Sequence, residues 1–290
     1  MPFVTGLLIL ILCLIIYSIF ENKRLATTNY LIEQEQVPPA FEGIRFVCLT
    51  DLHQKSFGRG NEKLIKQIRN CNPDAILIAG DMVTNSNTKN HSVALSVIRD
   101  LAKDYVIYYA PGNHELKWEL AARHANNGYQ EYLEELKKLG VYYLDNSQIS
   151  LKKGSDILQI VGLNLTLAYY NKGGVPKKLT QEDLRDFISY SDKNSYTILL
   201  AHVPDYFEDY VDWGADLILS GHNHGGIIRL GKLGGVISPR YQFFPKYDAG
   251  VFKKKASVML LSRGLGYHTI PIRLFNRPEL ICVQIKRKKS

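Results

Sequence analysis

The chain has 290 residues, of which 46% are hydrophobic and 22% are charged. This length and composition suit one large α/β domain or two small ones, and they exclude a largely disordered chain. The formal net charge of +8 indicates an anionic partner such as a phosphate compound, a nucleic acid or a membrane surface, or else a surface made soluble by lysines.

The N-terminal segment differs in kind from the rest. An uncharged apolar stretch runs from Phe3 to Phe20, and as a helix it would span about 27 Å of a hydrocarbon layer about 30 Å thick. No Lys or Arg precedes the stretch and no small-residue cleavage site closely follows it, which argues against a cleaved signal peptide. We therefore expect residues 1–22 to form a single-pass cell-membrane anchor. Lys23 and Arg24 follow, and positive flanks favour a cytoplasmic position for the domain beyond them.

Residues 23–42 are polar and contain Pro38-Pro39, which predicts a tether before a folded domain spanning residues 43–290. Beyond Ile44, apolar runs rich in β-branched and aromatic residues alternate with helical patterns. Continuous runs of this kind are typical of strands buried on both faces. The predicted strands are Ile44–Leu49, Ala75–Ala79, Tyr105–Ala110, Tyr196–Ala201 and Asp216–Leu219.

Other segments predict helices and two further pairs of strands. Apolar spacing near the helical period predicts three helices, which are Glu62–Asn70 with Asn61 as its N-cap, His91–Lys103 and Tyr129–Leu139. Alternation predicts a hairpin of Gln148–Leu151 with Ile157–Leu163. Another pair of segments, Ala256–Leu261 and Leu280–Ile285, resembles strands of a second sheet. The sequence thus indicates one α/β domain with two sheets and helices outside them.

The four cysteines are dispersed and form no CxxC pair, so neither a zinc–thiolate site nor a disulfide framework is expected. Any metal must be held by nitrogen and oxygen ligands. Polar residues that suit this task follow each of the five predicted strands. The five strand ends read Thr50-Asp51-Leu52-His53, Gly80-Asp81, Pro111-Gly112-Asn113-His114-Glu115, His202 and Ser220-Gly221-His222-Asn223-His224.

These strand ends are expected to converge, because ligand sites in open α/β sheets lie beyond the carboxyl ends of the strands. Asp51 and His53 lie two residues apart and would point the same way if the strand continued, as would His222 and His224. Carboxylate, imidazole and amide groups suit Mn²⁺, Fe²⁺ or Zn²⁺. Each piece alone is common in turns, but five in order behind apolar strands indicate a metal site.

The ordered set resembles the signature of the calcineurin-like metallophosphoesterases, from about Ile44 to the C-terminus. The tail is similar to the bacterial membrane-associated branch of that family, although Asn223 and Ile227 stand where the branch usually has Thr and Gln. The resemblance implies an α/β fold, a four-layer αββα sandwich in which two mixed sheets are flanked by helices. The tail motifs are Ser262-Arg263-Gly264-Leu265-Gly266, Pro271-Ile272-Arg273 and Asn276-Arg277-Pro278-Glu279.

The resemblance also implies two divalent metal ions and a role for each site residue. His114 would face the substrate as the catalytic acid rather than bind a metal. Arg263, in a glycine-containing loop, is a candidate substrate contact. The implied ligands are Asp51, His53 and His224 for one ion, Asn113, His202 and His222 for the other, and Asp81 for both.

The resemblance implies a metal-dependent phosphoric ester hydrolase, and the anchor favours a substrate at the membrane surface. We expect a phosphodiesterase or pyrophosphatase that hydrolyses a lipid-linked or nucleotide phosphate at the membrane surface. The same metal core suits a phosphomonoesterase or protein phosphatase, and a non-catalytic metal-binding scaffold is a further alternative, although the sequence retains His114 and every ligand. No nucleic-acid partner is expected, because no basic stretch is interleaved with stacking aromatic residues. The oligomeric state and the natural substrate stay open.

Overall fold

A computed structural model gives the fold and describes residues 2–84, 91–124, 127–170, 177–192, 194–238, 242–267 and 271–288. Over these ranges the chain forms seven α-helices and twelve strands. The helices are α1 (Pro2–Lys23), α2 (Glu62–Asn70), α3 (Ser92–Leu101), α4 (Asn113–Ala122), α5 (Tyr129–Lys138), α6 (Gln181–Phe187) and α7 (Phe207–Trp213). The strands are β1 (Ala26–Gln34), β2 (Arg45–Leu49), β3 (Ala75–Ala79), β4 (Val106–Ala110), β5 (Tyr142–Tyr143), β6 (Ser147–Lys153), β7 (Asp156–Leu163), β8 (Tyr196–Ala201), β9 (Leu217–Ser220), β10 (Gly250–Lys254), β11 (Ser257–Leu261) and β12 (Glu279–Arg287).

The described strands form two six-stranded mixed sheets. The first has the order β1-β12-β2-β3-β4-β5, in which β12 is antiparallel to β2 and parallel to β1. The second has the order β10-β11-β9-β8-β7-β6, in which the two outer strands are antiparallel to their neighbours. In each sheet the strands that carry the site residues run parallel to one another. Their carboxyl ends therefore lie at the same edge.

Three apolar clusters separate four layers. Alternate residues of β2 show the arrangement: Phe46 belongs to the cluster between the sheets, whereas Val47 belongs to the cluster under α2, α3 and α5. The third cluster joins the other face of the second sheet to α6 and α7, for example through Leu199 and Tyr210. Because the central strands are covered on both faces, nearly all their residues are apolar. The predicted αββα sandwich of two mixed sheets is confirmed.

The structure agrees with most predicted elements and corrects a strand pairing, a helix cap and part of the tether. β3 and β8 have the predicted limits, and β6 and β7 form the predicted hairpin. The pairing predicted for a second sheet is wrong, because β11 lies in the second sheet and β12 in the first. Asn61 does not cap α2: its φ is 62° and its Oδ1 accepts a hydrogen bond from the Phe57 N–H at 2.8 Å.

The predicted tether is wrong for residues 26–34, which form β1. This strand pairs in parallel with β12 from Ala26 opposite Glu279 to Gln34 opposite Arg287. Gln34 is buried and connects the two sheets: its Nε2 donates to the carbonyls of Asp216 at 3.0 Å and Ala256 at 2.6 Å. Its Oε1 accepts from the hydroxyl of Tyr196 at 2.5 Å. The segment was polar because β1 is an edge strand with one exposed face.

The end of α1 packs against the folded domain. The helix is long and apolar enough to cross a membrane, and its buried residues lie in its last turns. The Ser18 hydroxyl accepts a hydrogen bond from the Arg273 N–H at 2.9 Å, and the Asn22 side chain donates to the Pro271 carbonyl at 2.8 Å. The rings of Tyr17 and Phe275 lie 5.2 Å apart. The apolar helix therefore leaves the domain at a fixed point, the segment 271–277.

Replacing Gln34 by Ala should destabilise the domain. The change removes the partner of the Tyr196 hydroxyl and of the Ala256 carbonyl, whereas the Asp216 carbonyl keeps its hydrogen bond from the Val258 N–H. Each buried group left unpaired costs about 1–3 kcal/mol. We expect the midpoint of thermal unfolding, followed by tryptophan fluorescence of the full chain in detergent, to fall by at least about 4 °C. Glu33→Ala, on the exposed face of the same strand, is the control. Equal midpoints for the two variants would show that β1 is not part of the folded core.

Candidate metal centre

The ends of β2, β3, β4, β8 and β9 converge and bring the predicted ligands together. The described buried side chains include three groups of possible ligands, and within each group the ligand atoms all lie within 4.8 Å of one another. The first and second groups share His53, and the second and third share Asp81, so they form one continuous cluster. The groups are Asp51 with His53 and His224, His53 with Asp81 and His114, and Asp81 with His202 and His222.

The first group places two imidazoles around one carboxylate. Asp51 Oδ1 lies 3.2 Å from His224 Nε2 and 3.7 Å from His53 Nε2. The two Nε2 atoms are 3.2 Å apart. Asp51 Oδ2 also accepts hydrogen bonds from the Thr50 hydroxyl at 2.8 Å and the His222 N–H at 3.1 Å. These contacts fix the carboxylate with one oxygen directed at both rings.

The second half of the centre is arranged around Asp81. Its Oδ2 lies 3.0 Å from His202 Nε2, and its Oδ1 accepts from the His114 N–H at 2.8 Å. His202 Nδ1 donates to the Ala79 carbonyl at 2.7 Å, which leaves the Nε2 lone pair for a ligand. The rings of His202 and His222 meet edge to face at 5.2 Å.

Asn113, the predicted amide ligand, supports a cation at this position. It is buried at the start of α4, and its Oδ1 has no hydrogen-bond donor among the residues that the structure describes. A buried carbonyl oxygen without a donor is costly unless another positive group satisfies it. An amide oxygen, imidazole nitrogens and carboxylate oxygens are all donors suited to divalent transition metals. The residues present therefore fit the implied ions.

Charge interactions across the cluster are strong. Burial disfavours the ionised form of Asp51, but His224 and His202 hold the pKa of its carboxyl below the usual range. Burial opposes ionisation of Asp81 in the same way, and His202 and His114 lower its pKa. Burial alone would lower the pKa of His202, yet the two carboxylates raise it to about 9. Attractions that favour a proton here would equally favour a divalent cation.

Five predicted ligands have left-handed backbone conformations, although none is glycine. The strand does not continue through Asp51 and His53, because β2 ends at Leu49, so the condition under which the two side chains would point the same way is not met. Conformations of this kind cost about 1–3 kcal/mol each and persist where the surroundings fix them. The φ angles are 53° for Asp51, 46° for His53, 56° for Asp81, 69° for His222 and 49° for His224.

Glu115 fixes the two turns that carry Asp81 and Asn113, although the sequence analysis gave it no role. Its carboxylate is fully buried and accepts five hydrogen bonds. The donors are the backbone N–H groups of Asp81 at 2.9 Å, Met82 at 2.8 Å, Val83 at 3.3 Å and Gly112 at 2.9 Å, and the Tyr109 hydroxyl at 2.6 Å. The signal was present, since Glu115 directly follows two predicted site residues.

The same two loops approach each other closely at glycines. Gly80 has a φ of 85°, and a Cβ on it would lie 2.6 Å from Gly112 Cα and 2.8 Å from His202 Nδ1. A side chain there would force apart the turns that carry Asp81 and Asn113. Gly80 is thus required by space as well as by its backbone conformation.

The C-terminal motifs support the centre from one side. The buried Arg273 guanidinium donates to the carbonyls of Arg263 at 2.8 Å and Gly264 at 3.1 Å, and to that of Gly266. Asn276 Nδ2 donates to the His224 carbonyl at 2.8 Å. These segments therefore fix the loops beside Asp51 and His224. The sequence analysis identified these motifs only through the family resemblance and did not predict that they hold the loops in place.

His114 and Arg263 have different surroundings. His114 lies at the edge of the cluster, with Nε2 3.9 Å from Asp81 Oδ2 and its ring edge-on to His53 at 4.8 Å. Arg263 donates from its guanidinium to Glu279 at 3.1 Å. Arg263 is thus paired with Glu279, and its contact with a substrate stays a prediction.

Residues 44–226 match the family model described as calcineurin-like phosphoesterase. The chain belongs to this family. It is 27% identical over 271 residues to the metallophosphoesterase YkuE of Bacillus subtilis, covering 92% of this chain and 87% of that protein. It is 27% identical over 300 residues to the metallophosphoesterase Cj0846 of Campylobacter jejuni, covering 97% and 71% respectively. A Danio rerio transmembrane protein with a metallophosphoesterase domain is 25% identical over 268 residues, covering 88% of this chain and 56% of that protein.

The predicted resemblance is therefore confirmed. The calcineurin-like phosphoesterase chain described here is a metal-dependent phosphoester hydrolase, and members of its family typically bind two divalent metals. The clustered Asp and His side chains are consistent with this property.

Replacing Glu115 by Ala should weaken metal binding although Glu115 is no predicted ligand. Loss of the carboxylate frees the N–H groups of Asp81 and Gly112, and loss of a group that orients ligands typically costs about 10–100-fold in metal affinity. Calorimetric titration of the metal-stripped protein with Mn²⁺ measures the change in metal affinity. Glu119→Ala, one turn further along α4 and partly exposed, is the control. Unchanged affinity in Glu115→Ala would contradict the proposed positioning role.

Proposed function

We propose that this calcineurin-like phosphoesterase is a dinuclear phosphodiesterase or pyrophosphatase that hydrolyses a lipid-linked or nucleotide phosphate at the membrane surface. The observation that carries the proposal is the position of Arg273. Its backbone N–H bonds Ser18 of the apolar helix, and its guanidinium bonds the carbonyls of Arg263 and Gly264 beside the metal centre. A single buried residue thus connects the membrane helix to the loops that support catalysis.

The metal ligands are proposed as two sets that share one carboxylate. Asp81 Oδ2 supports this division, since it lies 3.8 Å from His53 Nε2 and 3.0 Å from His202 Nε2, which belong to different sets. When bound, the two divalent ions would supply Lewis-acid stabilisation of the phosphoryl oxygens. The sets are Asp51, His53 and His224 for one ion, Asn113, His202 and His222 for the other, and Asp81 for both.

His114 is proposed as the group that protonates the leaving oxygen. Its backbone N–H bonds Asp81 Oδ1, which fixes the residue beside the centre, and its side chain is about one-tenth exposed. This position lets the ring face a substrate while it remains next to the metal ligands. Proton donation of this kind typically contributes about 10²–10⁴ in rate.

We also propose a single-pass anchor with the catalytic domain on the cytoplasmic side. Lys23 and Arg24 are exposed where α1 ends, and positive flanks tend to be retained in the cytoplasm. The exposed apolar side chains of α1 would lie in the hydrocarbon layer. Phe275 is 58% exposed and packs beside Tyr17, so it would lie at the interface.

With Mn²⁺ added, the detergent-solubilised chain should hydrolyse bis-p-nitrophenyl phosphate, and turnover should stop when a chelator removes the metal. The bound metal ions, and not the ligand side chains themselves, would stabilise the phosphoryl oxygens. Activity should therefore return when Mn²⁺ is added back. Release of p-nitrophenol measures the rate. Cleavage of the monoester alone would make the protein a phosphomonoesterase, and two bound metals without turnover of either ester would favour a binding protein.

Single substitutions should separate the two proposed roles. His114→Ala should retain two metals and lower kcat about 10²–10⁴-fold, whereas Asp81→Ala should lose metal because one carboxylate serves both sets. Metal content by elemental analysis and the diester assay are measured together. His124→Ala is the control, because His124 is exposed and lies just beyond the end of α4. Loss of metal in His114→Ala would make His114 a ligand instead of the proton donor.

A further inference from the structure

A cavity of about 440 Å³ lies where α1 joins the folded domain. Ile19 and Lys23 line it from the helix side, and Lys55, Phe57 and Tyr267 line it from the domain side. No residue of the proposed metal centre contributes to its described lining. The cavity is therefore a second concave site, and the proposed hydrolysis does not account for it.

We call this cavity between α1 and the domain the junction pocket, and the charged side chains in its described lining are all positive. Lys23, Lys55 and Lys63 line it, and no Asp or Glu is found among its described lining residues. Three ammonium groups around one cavity repel one another unless an anion lies between them. The chemistry of the lining thus selects a negatively charged ligand.

Lys55 carries the strongest evidence. Its side chain is only partly exposed, and Nζ donates to the Leu265 carbonyl at 3.1 Å and to Asn22 Oδ1 at 3.5 Å. Nζ also lies 4.7 Å from the ring centre of Phe57 and 6.0 Å from that of Tyr267. Every one of these partners is neutral. The protonated amino group therefore has no anion among these contacts, and an anionic ligand in the cavity would supply one.

With α1 as the proposed membrane anchor, the pocket would lie at the depth of lipid headgroups. Ile19 belongs to the apolar stretch of α1, and Lys23 is the first cation beyond it. Exposed Phe20, Ile272 and Phe275 lie at the same end of the helix. Aromatic and basic side chains are typical of the boundary between hydrocarbon and water. The cavity thus combines apolar lining residues such as Ile19 and Phe57 with three lysines.

We propose that the junction pocket binds the phosphate of an anionic phospholipid, with Lys23, Lys55 and Lys63 as cationic contacts and the acyl chains along Ile19. The lipid would occupy the space between the helix and the domain and hold them at a constant angle. This binding is separate from the proposed hydrolysis, because the pocket contains no proposed ligand and no proposed catalytic residue.

Native mass spectrometry of the full chain, released from detergent with added lipid, tests the proposal. Wild type should retain one phosphatidylglycerol molecule at least about tenfold more readily than one phosphatidylcholine molecule. The variant Lys55→Gln/Lys63→Gln should lose this preference. Lys66→Gln, which removes one exposed positive charge from α2 outside the pocket, should behave as wild type.

A second variant protects the test against misfolding. Lys23→Gln/Lys63→Gln changes two exposed side chains and leaves the partly buried Lys55 in place, and it should weaken the preference while thermal unfolding stays at the wild-type midpoint. No preference in wild type, or equal loss in Lys66→Gln, would overturn the proposal. If inorganic phosphate bound with the same lysine dependence and phosphatidylglycerol did not, the pocket would be a site for a soluble anion and the lipid assignment would be wrong.

Discussion

The carboxylate of Glu115 is the constraint on which the metal centre depends. Four backbone N–H groups from the turns after β3 and β4, and one tyrosine hydroxyl, converge on two oxygen atoms. Burial and the nearby charge of Asp81 raise the pKa of Glu115, so its environment disfavours the charge that the N–H groups stabilise. The network compensates for this cost and for the left-handed backbone at Asp81. Without Glu115, the two turns would lose the carboxylate that bonds both of them, and the turn of Asp81 would keep contacts such as the His53 N–H on the Asp81 carbonyl at 3.2 Å.

The sequence predicted the parts of the site that follow directly from strand ends. Apolar runs with short polar sequels placed Asp51, Asp81 and His202 correctly at converging edges, because parallel strands bring their carboxyl ends together. It could not show that β2 stops before Asp51, since a left-handed turn at Asp and His leaves no pattern in hydrophobicity. The roles of Glu115 and Arg273 also depend on contacts between distant segments, which spacing along the chain does not reveal.

The misassigned elements have a common physical origin. β1 is an edge strand with a polar exposed face, so its composition resembles that of a linker. β12 begins with a continuous apolar run that is buried on both faces, and nothing in that run says which sheet accepts it. Asn61 is a residue type suited to capping a helix, yet its side chain accepts a hydrogen bond from the Phe57 N–H. Contacts between distant segments decided the outcome for β1 and β12, and a contact four residues away decided it for Asn61.

The pairing of β1 with β12 sets an order of events during synthesis. β1 leaves the ribosome well before its partner strand, which begins at Glu279, opposite Ala26. The first sheet therefore cannot be completed until the chain has been made beyond Glu279, and contacts this distant in sequence form slowly. During that interval β1, and the edge of β2 that pairs with β12, have no partner strand. Attachment of the preceding helix to a membrane would hold this unpaired segment at one place, which lowers the chance of its pairing with another chain before its own C-terminus arrives.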